Sequence, residues 1–248
     1  MFPIINLGPL AIPVPQFSIL ISLWFGISLS EKFAPKIGVK SDDIYNLVII
    51  SVISGMIGAR LGYIFENFAA FIQTPTGVFS LNSGMMDPFM GYSIGLLGMI
   101  LFLNKKKIPI WSGLDSLVPL LAVIFVGVSI SHIASGEAYG SVTSLPWGIQ
   151  LWGAIRHPAQ FYELFLSLII LFLAPVINKS RNHPGSLFLF FIALTTAARL
   201  FIEGFRGDSQ IILGGIRSQQ IIYWVILLIV FIVLDHRKRY SKKDSGNG

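Results

Sequence analysis

Apolar runs, each of about 20 residues, constrain this chain more than any other feature of its sequence. A helix needs roughly that many apolar residues to cross the hydrocarbon core of a membrane, so the runs predict transmembrane helices. The predicted spans are 14–30, 44–65, 89–104, 115–133, 159–177, 185–204 and 218–235. Apolar residues make up 54% of the chain and charged residues only 12%, a balance that excludes a soluble globular domain. We therefore predict an all-α, polytopic membrane protein with about seven transmembrane helices in one bundle.

The sequence contains no internal repeat and no low-complexity linker. We predict one transmembrane domain at 1–236, followed by a basic cytoplasmic tail at 237–248. The absence of cysteine excludes disulfides and thiol nucleophiles, and four dispersed histidines do not predict a metal site. The net charge of +6 lies in short clusters between the apolar runs, which indicates membrane topology rather than nucleic-acid binding.

These basic clusters also predict the orientation of the chain. Every lysine, together with Arg181, Arg237 and Arg239, lies in alternate connections between the spans or in the C-terminal tail. Connections rich in lysine and arginine stay in the cytoplasm. The pattern therefore predicts a C-terminus inside the cytoplasm and an N-terminus outside it.

The remaining positive residues are all arginines, and each is predicted to lie within a span or near its outer end. They are Arg60, Arg156, Arg199, Arg206 and Arg217. Ionisable groups in a membrane are costly and usually face a cavity or a partner, and the arginine fork suits bidentate binding of an oxyanion. The alternative is that these arginines snorkel to the headgroups or pair with glutamates, as Arg199 and Glu203 could at their i,i+4 spacing.

Two long connections, 66–88 and 134–158, are predicted to lie on the outer side. Both are rich in Phe, Trp, Gly and Pro, and Trp147 and Trp152 suit the membrane interface. Two interpretations remain open: the segments rest on the membrane surface, or they contact a substrate.

Residues 156–163, R-H-P-A-Q-F-Y-E, resemble the R-H-P-x-Q-x-Y-E segment of bacterial phosphatidylglycerol–prolipoprotein diacylglyceryl transferases. Further stretches agree with that family in order and spacing, namely 8–11, 58–63, 136–140, 145–148, 199–206 and 218–219. The resemblance covers nearly the whole chain. It implies an enzyme of lipoprotein biosynthesis in the bacterial cell (inner) membrane, with no metal or organic cofactor.

The reaction that the resemblance implies moves a diacylglyceryl group from phosphatidylglycerol to the lipobox cysteine of a prolipoprotein. Such a reaction needs cationic donors for the phosphate and a base for the thiol proton. The headgroup and phosphate contacts are expected at Arg60, Arg156, Arg199, Arg206 and Arg217. Glu137, Glu163 and Glu203 are expected to orient these arginines. Neutral hydrogen bonds are expected from Gln160, Tyr162 and Gln219.

The sequence departs from the family at its expected chemical centre. The family signature G-R-x-x-N-F-x-N-G-E aligns with 128–137, where Ser129 takes the place of the arginine and His132 that of the first asparagine. The histidine of the family's F-H-G-G motif, to which a catalytic role is assigned, falls at Met90, and an N-terminal aromatic falls at Pro15.

We therefore expect His132 or His157 to handle the proton, with Glu137 in the same catalytic set. Each histidine also has a structural interpretation. His132 could bind a backbone carbonyl at the end of its helix, and His157 could orient Arg156. Asp87, near the lost histidine, is predicted to be a turn residue before Pro88.

Two other functions remain open on the sequence. A non-catalytic relative would keep the cavity and bind an anionic phospholipid or a partner protein. A small-solute transporter would favour an inverted repeat, and the sequence contains no repeat.

The orientation can be tested by cysteine labelling, because the chain has no native cysteine. Cysteines introduced at Lys106 and Ser241 are expected to be shielded from impermeant reagents outside the cell, whereas those at Thr74 and Ser141 are expected to react. Labelling of Lys106→Cys from outside would contradict the predicted topology.

Overall fold

The structure of this protein is a computed structural model that describes residues 3–79, 83–178, 183–212 and 215–245. Lys179 and Arg181, which contribute to the predicted orientation, lie outside the described residues. The helices are α1 (Val14–Phe33), α2 (Ser41–Glu66), α3 (Phe68–Gln73), α4 (Pro88–Lys105), α5 (Ile110–Ser135), α6 (Ala159–Asn178), α7 (Ser186–Glu203) and α8 (Ser218–Ser245). Each predicted span coincides with one of these helices, and the all-α fold class is confirmed.

The helices are those of a multi-pass membrane protein. Among the described residues, five helices are long and apolar enough to cross a membrane, namely Val14–Ile37, Ser41–Glu66, Ile110–Ser135, Ser186–Glu203 and Ser218–Arg237. Helix α8 exposes large apolar side chains such as Trp224, Leu228 and Phe231, as lipid-facing helices do. The polytopic class is thus confirmed, while the number of seven spans stays a prediction.

The chain forms two compact units, which the sequence does not predict. The larger unit comprises Met1–Leu29 and Leu117–Gly248, and the smaller unit comprises Ser30–Ser116. The predicted domain at 1–236 stays a prediction, and helix α8 continues into the predicted tail as far as Ser245.

In the larger unit, helix α7 packs against both α6 and α8. Helix α1 approaches α5 closely at Gly127, where the hydroxyl of Ser18 donates to the Gly127 carbonyl oxygen over 3.2 Å. A Cβ atom on Gly127 would lie 1.9 Å from the hydroxyl oxygen of Ser22. Only glycine therefore fits there, and such small-residue contacts are typical of helix packing in membranes.

In the smaller unit, α2 packs along α4 through glycines on both helices. A Cβ atom on Gly55 would lie 3.2 Å from the Gly91 carbonyl oxygen, and one on Gly95 would lie 3.0 Å from the Ser51 carbonyl oxygen. The close approach leaves an apolar groove of about 550 Å³ beside the two helices, lined in part by Met56, Ala59, Tyr92 and Met99.

Met90, which occupies the position of the family's histidine, lies in the first turn of α4. The Asp87 carboxylate caps the helix by accepting a hydrogen bond of 2.9 Å from the Phe89 amide, so this residue, predicted as a turn residue, is the N-cap of α4. Met90 packs against α2, because a Cβ atom on Gly62 would lie 2.7 Å from the Met90 Cβ. The side chain that replaces the histidine thus serves helix packing.

Two short antiparallel hairpins, which the sequence does not predict, complete the fold. They pair β1 (Ile4–Leu7) with β2 (Leu10–Pro13), and β3 (Ile149–Leu151) with β4 (Ala154–Arg156). Trp152 and Gly153 form the two-residue turn of the second hairpin, with φ of 52° and 76°. Positive φ at both turn residues matches the twist of a tight hairpin. The Trp152 indole N–H donates to the Gly136 carbonyl oxygen over 3.0 Å, which holds this turn in place.

Candidate active site

Backbone hydrogen bonds in the larger unit join three segments, 139–143, 155–157 and 205–207. Ser141 binds the other two, because its amide donates to the Phe205 carbonyl oxygen (2.7 Å) and its carbonyl oxygen accepts from the His157 amide (2.9 Å). We call these three segments the loop platform. It follows α5, precedes α6 and follows α7, so it fixes the connecting ends of these helices.

Glycines allow the three segments of the loop platform to approach one another. A Cβ atom on Gly140 would lie 2.1 Å from the carbonyl oxygen of His157, and one on Gly207 would lie 2.6 Å from the carbonyl oxygen of Gly140. Both obstacles are backbone atoms, which cannot retreat as a flexible side chain could. Packing therefore requires glycine at Gly140, the last residue of the matched stretch 136–140.

Arg156 stabilises the loop platform from within. Its Nε donates to the Leu151 carbonyl oxygen (3.0 Å) and its Nη1 to the Gly140 carbonyl oxygen (3.3 Å). Its guanidinium carbon lies 4.8 Å from the centre of the Tyr139 ring, within cation–π range. Two of its donors are thus engaged by the protein, which limits what it can offer a phosphate.

Arg206 forms a bidentate ion pair that the sequence analysis missed. Its Nε and Nη2 donate to the two carboxylate oxygens of Asp208, over 2.9 and 2.7 Å, and Glu203 Oε2 lies 3.9 Å away. The pKa of Arg206 lies above its usual value because Asp208 accepts these hydrogen bonds and outweighs burial. The nearby charges of Asp208, Glu203 and Glu163 raise that pKa further. The positive charge of Arg206 is therefore largely balanced by the negative charges of these carboxylates.

Arg199 differs from the other arginines of the larger unit. Its side chain is exposed, and its guanidinium carbon lies 5.2 Å from the centre of the Phe125 ring. Glu203, its possible i,i+4 partner, lies instead beside Arg206. Within the described part of the chain, the Arg199 guanidinium forms no ion pair and no hydrogen bond. No described residue therefore engages its donors.

Arg60 lies in the smaller unit and binds the segment that follows α3. Its guanidinium donates to the carbonyl oxygens of Val78 (3.1 Å), Met85 (2.7 Å) and Gly77. The same group lies 5.5 Å from the centre of the Phe71 ring. Arg60 therefore connects α2 to the segment that follows α3.

Arg217 and Gln219 lie at the start of α8. The Arg217 Nη1 donates to the Arg206 carbonyl oxygen, and its amide donates to Gln220 Oε1 over 3.2 Å. Gln219 is exposed. Arg217 therefore joins the loop platform to α8, a contact that the sequence does not reveal.

His132 on α5 and Glu163 on α6 form a short polar contact between the two helices. The His132 Nδ1 lies 2.7 Å from Glu163 Oε2, with the imidazole partly exposed and the Glu163 side chain only 8% exposed. Glu163 is predicted from the sequence to orient an arginine, whereas its hydrogen-bond partner in the structure is His132. Among the described residues, the His132 ring binds this carboxylate and not the backbone carbonyl that its structural interpretation supposes.

One turn further into the same interface, Ser129 occupies the position of the family's arginine. Its hydroxyl donates to the Phe125 carbonyl oxygen (3.0 Å) and lies 3.5 Å from the hydroxyl of Ser167 on α6. Both serines are fully buried. The two helices therefore pack together here without a cation.

Three buried side-chain atoms near the loop platform form no hydrogen bond with any described residue. They are His157 Nδ1, Gln160 Oε1 and Glu203 Oε1. The amide nitrogen of Gln160 does donate to the Glu137 carbonyl oxygen, over 3.0 Å. Because buried polar atoms are normally satisfied, these atoms mark positions that a water or a ligand can complete.

The other predicted site residues have identifiable surroundings. The His157 ring packs edge-on against Phe205, with centroids 5.2 Å apart. Tyr162 accepts a hydrogen bond of 2.9 Å from the Trp147 indole through its hydroxyl oxygen, and the Glu137 side chain is exposed. Of the two candidate bases, only His132 has a carboxylate partner among the described residues. No group of three His, Asp or Glu side chains in the described ranges is placed to hold a metal ion.

Comparison with known proteins identifies the family. A family model described as prolipoprotein diacylglyceryl transferase matches residues 3–235. The phosphatidylglycerol–prolipoprotein diacylglyceryl transferase of Clostridioides difficile is 29% identical over 235 residues, which cover 91% of this chain and 93% of the relative. A protein of the same name from Proteus mirabilis is 30% identical over 268 aligned positions, which cover 94% of this chain and 91% of the relative. These matches confirm the resemblance that the motifs indicate.

The loop platform predicts an asymmetry between two glycines. Gly140→Ala is expected to lower the free energy of unfolding by about 3 kcal/mol, because its Cβ meets a backbone oxygen that cannot move aside. Gly204→Ala is the matched control, since the nearest atom to its Cβ lies 3.3 Å away and its φ of −58° suits alanine. Thermal unfolding followed by the fluorescence of the five tryptophans checks both variants. Equal melting temperatures would contradict the close packing of the platform.

Proposed function

Since the family model spans residues 3–235, the chain belongs to the prolipoprotein diacylglyceryl transferase family, and we propose that it performs lipoprotein maturation. It transfers a diacylglyceryl group from phosphatidylglycerol to the lipobox cysteine of a prolipoprotein. The match over nearly the whole chain carries this proposal, and the names of the relatives from Clostridioides difficile and Proteus mirabilis supply both substrates.

Apart from one proton transfer, the reaction forms one bond and breaks one. The sulfur of the lipobox cysteine attacks a glycerol carbon of the lipid, and a thioether bond forms. The bond between that carbon and the phosphate oxygen breaks, and glycerol phosphate leaves with the electron pair. The proton of the thiol passes to a base. The protein therefore has to neutralise charge on the leaving phosphate and to accept one proton.

Arg199 is the best-supported phosphate contact in the proposed site. Its guanidinium is free of carboxylates among the described residues, whereas that of Arg206 is paired with Asp208. Arg156 and Arg217 support the loop platform and offer their remaining donors to the headgroup. The family resemblance also assigns Arg60 to headgroup binding.

Neutral donors and acceptors complete the proposed headgroup site. The buried Oε1 of Gln160 accepts no hydrogen bond from a described residue. A hydroxyl of the headgroup is proposed to donate to it. Glu203 has the same property at Oε1. Tyr162 and Gln219 are proposed to add hydrogen bonds at the margin of the site.

His132 is proposed as the base that takes the thiol proton. A neutral imidazole is the usual proton acceptor near pH 7, and the contact with Glu163 supports its orientation. His157 and Glu137 are the alternative acceptors. The proposed orientation of the chain, with the N-terminus outside and the C-terminus in the cytoplasm, puts this site on the outer side of the membrane.

A non-catalytic lipid binder is the second candidate function. The observation that favours it is the loss of the family's histidine and arginine, because Met90 and Ser129 serve helix packing instead. Such a protein would bind phosphatidylglycerol through the same arginines without transferring any group. Lipid binding alone therefore does not distinguish the two functions, whereas formation of the thioether does.

The direct test incubates the purified protein with phosphatidylglycerol and a lipobox peptide, and mass spectrometry measures the thioether product. Wild-type protein is expected to form it, and His132→Gln is expected to lower turnover by at least about tenfold while leaving lipid binding unchanged. Normal turnover in His132→Gln together with loss in His157→Gln would transfer the proton role to His157. Wild-type protein that binds the lipid but forms no product would be the non-catalytic binder.

The role of Arg199 makes a separate prediction. Arg199→Lys is expected to impair turnover nearly as much as Arg199→Ala, because a point charge cannot reproduce the bidentate fork. Lys105→Ala removes an equal charge at the other end of the predicted topology and serves as the control. Binding of phosphatidylglycerol vesicles and turnover are measured for all three variants. Full activity of Arg199→Lys would reduce the role of Arg199 to a general charge effect.

A further inference from the structure

The contact between α5 and α6 has two layers of different character. Ser129 and Ser167 form a fully buried layer, in which the hydroxyls lie 3.5 Å apart. One turn along, His132 and Glu163 form a layer in which the carboxylate is buried and the imidazole is 23% exposed. The imidazole is therefore held from behind while part of it stays accessible.

The contact defines which imidazole nitrogen carries the proton. A carboxylate only accepts hydrogen bonds, so the Nδ1 that lies 2.7 Å from Glu163 Oε2 must be the donor. In the neutral ring, Nε2 is then unprotonated and free to accept a proton. A base that is oriented by a third group in this way follows the logic of catalytic triads.

The surroundings of Glu163 favour this role over a contact with an arginine. Its hydrogen-bond partner is His132. Arg206, whose pKa Glu163 helps to raise, donates its hydrogen bonds to the Asp208 carboxylate instead. After the proton is transferred, the carboxylate would face an imidazolium in a partly buried site. A charge-assisted hydrogen bond of this kind stabilises the protonated state.

We infer that Glu163 is the positioning residue of the transfer reaction, and that it acts on the substrate thiol only through His132. The inference rests on the proposed function. His132 replaces an asparagine of the family signature, and its carboxylate partner lies on α6. In this inference, the proton acceptor of the chain therefore lies at the α5–α6 interface.

Two substitutions separate orientation from charge. Glu163→Gln keeps an oxygen that accepts from Nδ1 but loses the charge, whereas Glu163→Leu loses both. Glu163→Leu is expected to lower kcat by about 10²-fold with little change in KM for phosphatidylglycerol, and Glu163→Gln is expected to cost less. Ser167→Ala, one turn along the same face of α6, is the matched control and is expected to retain wild-type turnover.

A double-mutant cycle tests whether Glu163 acts through His132. In the His132→Gln background, Glu163→Leu is expected to lower turnover no further, because the group that it positions is already absent. An additional loss of the same size in that background would overturn the inference, since it would mean an independent structural role.

The protonation of the ring gives a readout that does not depend on turnover. Nitrogen NMR of protein labelled at its four histidines identifies the His132 signals by their loss in His132→Gln. In wild-type protein, the His132 ring is expected to be protonated at Nδ1 and unprotonated at Nε2. Glu163→Leu is expected to lose the preference for this tautomer. A wild-type ring protonated at Nε2 would overturn the inference.

The outcomes distinguish the inference from the proposed function. If wild-type protein forms no thioether, the proposed function fails and the inference fails with it. If wild-type protein is active and His132→Gln is impaired while Glu163→Leu equals wild type, only the inference fails. The full pattern, with graded loss at Glu163 and no further loss in the double variant, would support both.

Discussion

The cost of placing ionisable groups in a membrane protein governs the arrangement of this chain. Most of its arginines meet that cost through contacts within the protein: Arg60 and Arg156 donate to backbone carbonyl oxygens, and Arg206 pairs with Asp208. His132 and Glu163 satisfy each other. Arg199 is the exception, because its guanidinium has no polar partner among the described residues. A cation kept at such cost is the natural place for an anionic ligand.

The proposed site departs from the family pattern in sequence. Where the family has a histidine, Met90 packs against Gly62, and where it has an arginine, Ser129 packs against Ser167. Both side chains take part in contacts between helices, and neither carries a charge. His132, which the family pattern does not contain, has a carboxylate partner on the neighbouring helix. This pairing makes a relocated proton acceptor physically consistent with the loss at Met90.

Most of the helical fold follows from the sequence, because each span is a run of apolar residues that only a helix can carry across a membrane. The two hairpins do not follow. The second depends on a tryptophan at positive φ, Trp152, whose indole binds Gly136 far from it in sequence. Strands of three or four residues are too short to show a clear alternation of apolar and polar side chains. The division into two compact units could not be predicted from the sequence either, because no linker separates the units.

The candidate residues could be identified from the sequence, but their partners could not. The spacing of Arg199 and Glu203 indicates a pair on one helix face, yet Glu203 is beside Arg206. Phe125 becomes the partner of Arg199 only through a tertiary contact. Asp208 pairs with Arg206 from two residues further along, beyond the end of α7, where helical spacing gives no guide. The contact between His132 and Glu163 joins residues 31 positions apart, so no helical periodicity could predict it.

A structure of the protein with phosphatidylglycerol and a lipobox peptide that carries serine in place of the cysteine tests the central claim most directly. The serine oxygen stands in for the attacking sulfur. The account predicts this oxygen within hydrogen-bond distance of His132 Nε2, with Glu163 still bound to Nδ1 and the lipid phosphate against Arg199. A serine oxygen that instead lies beside His157 or Glu137, with His132 Nε2 facing away from both substrates, would contradict it.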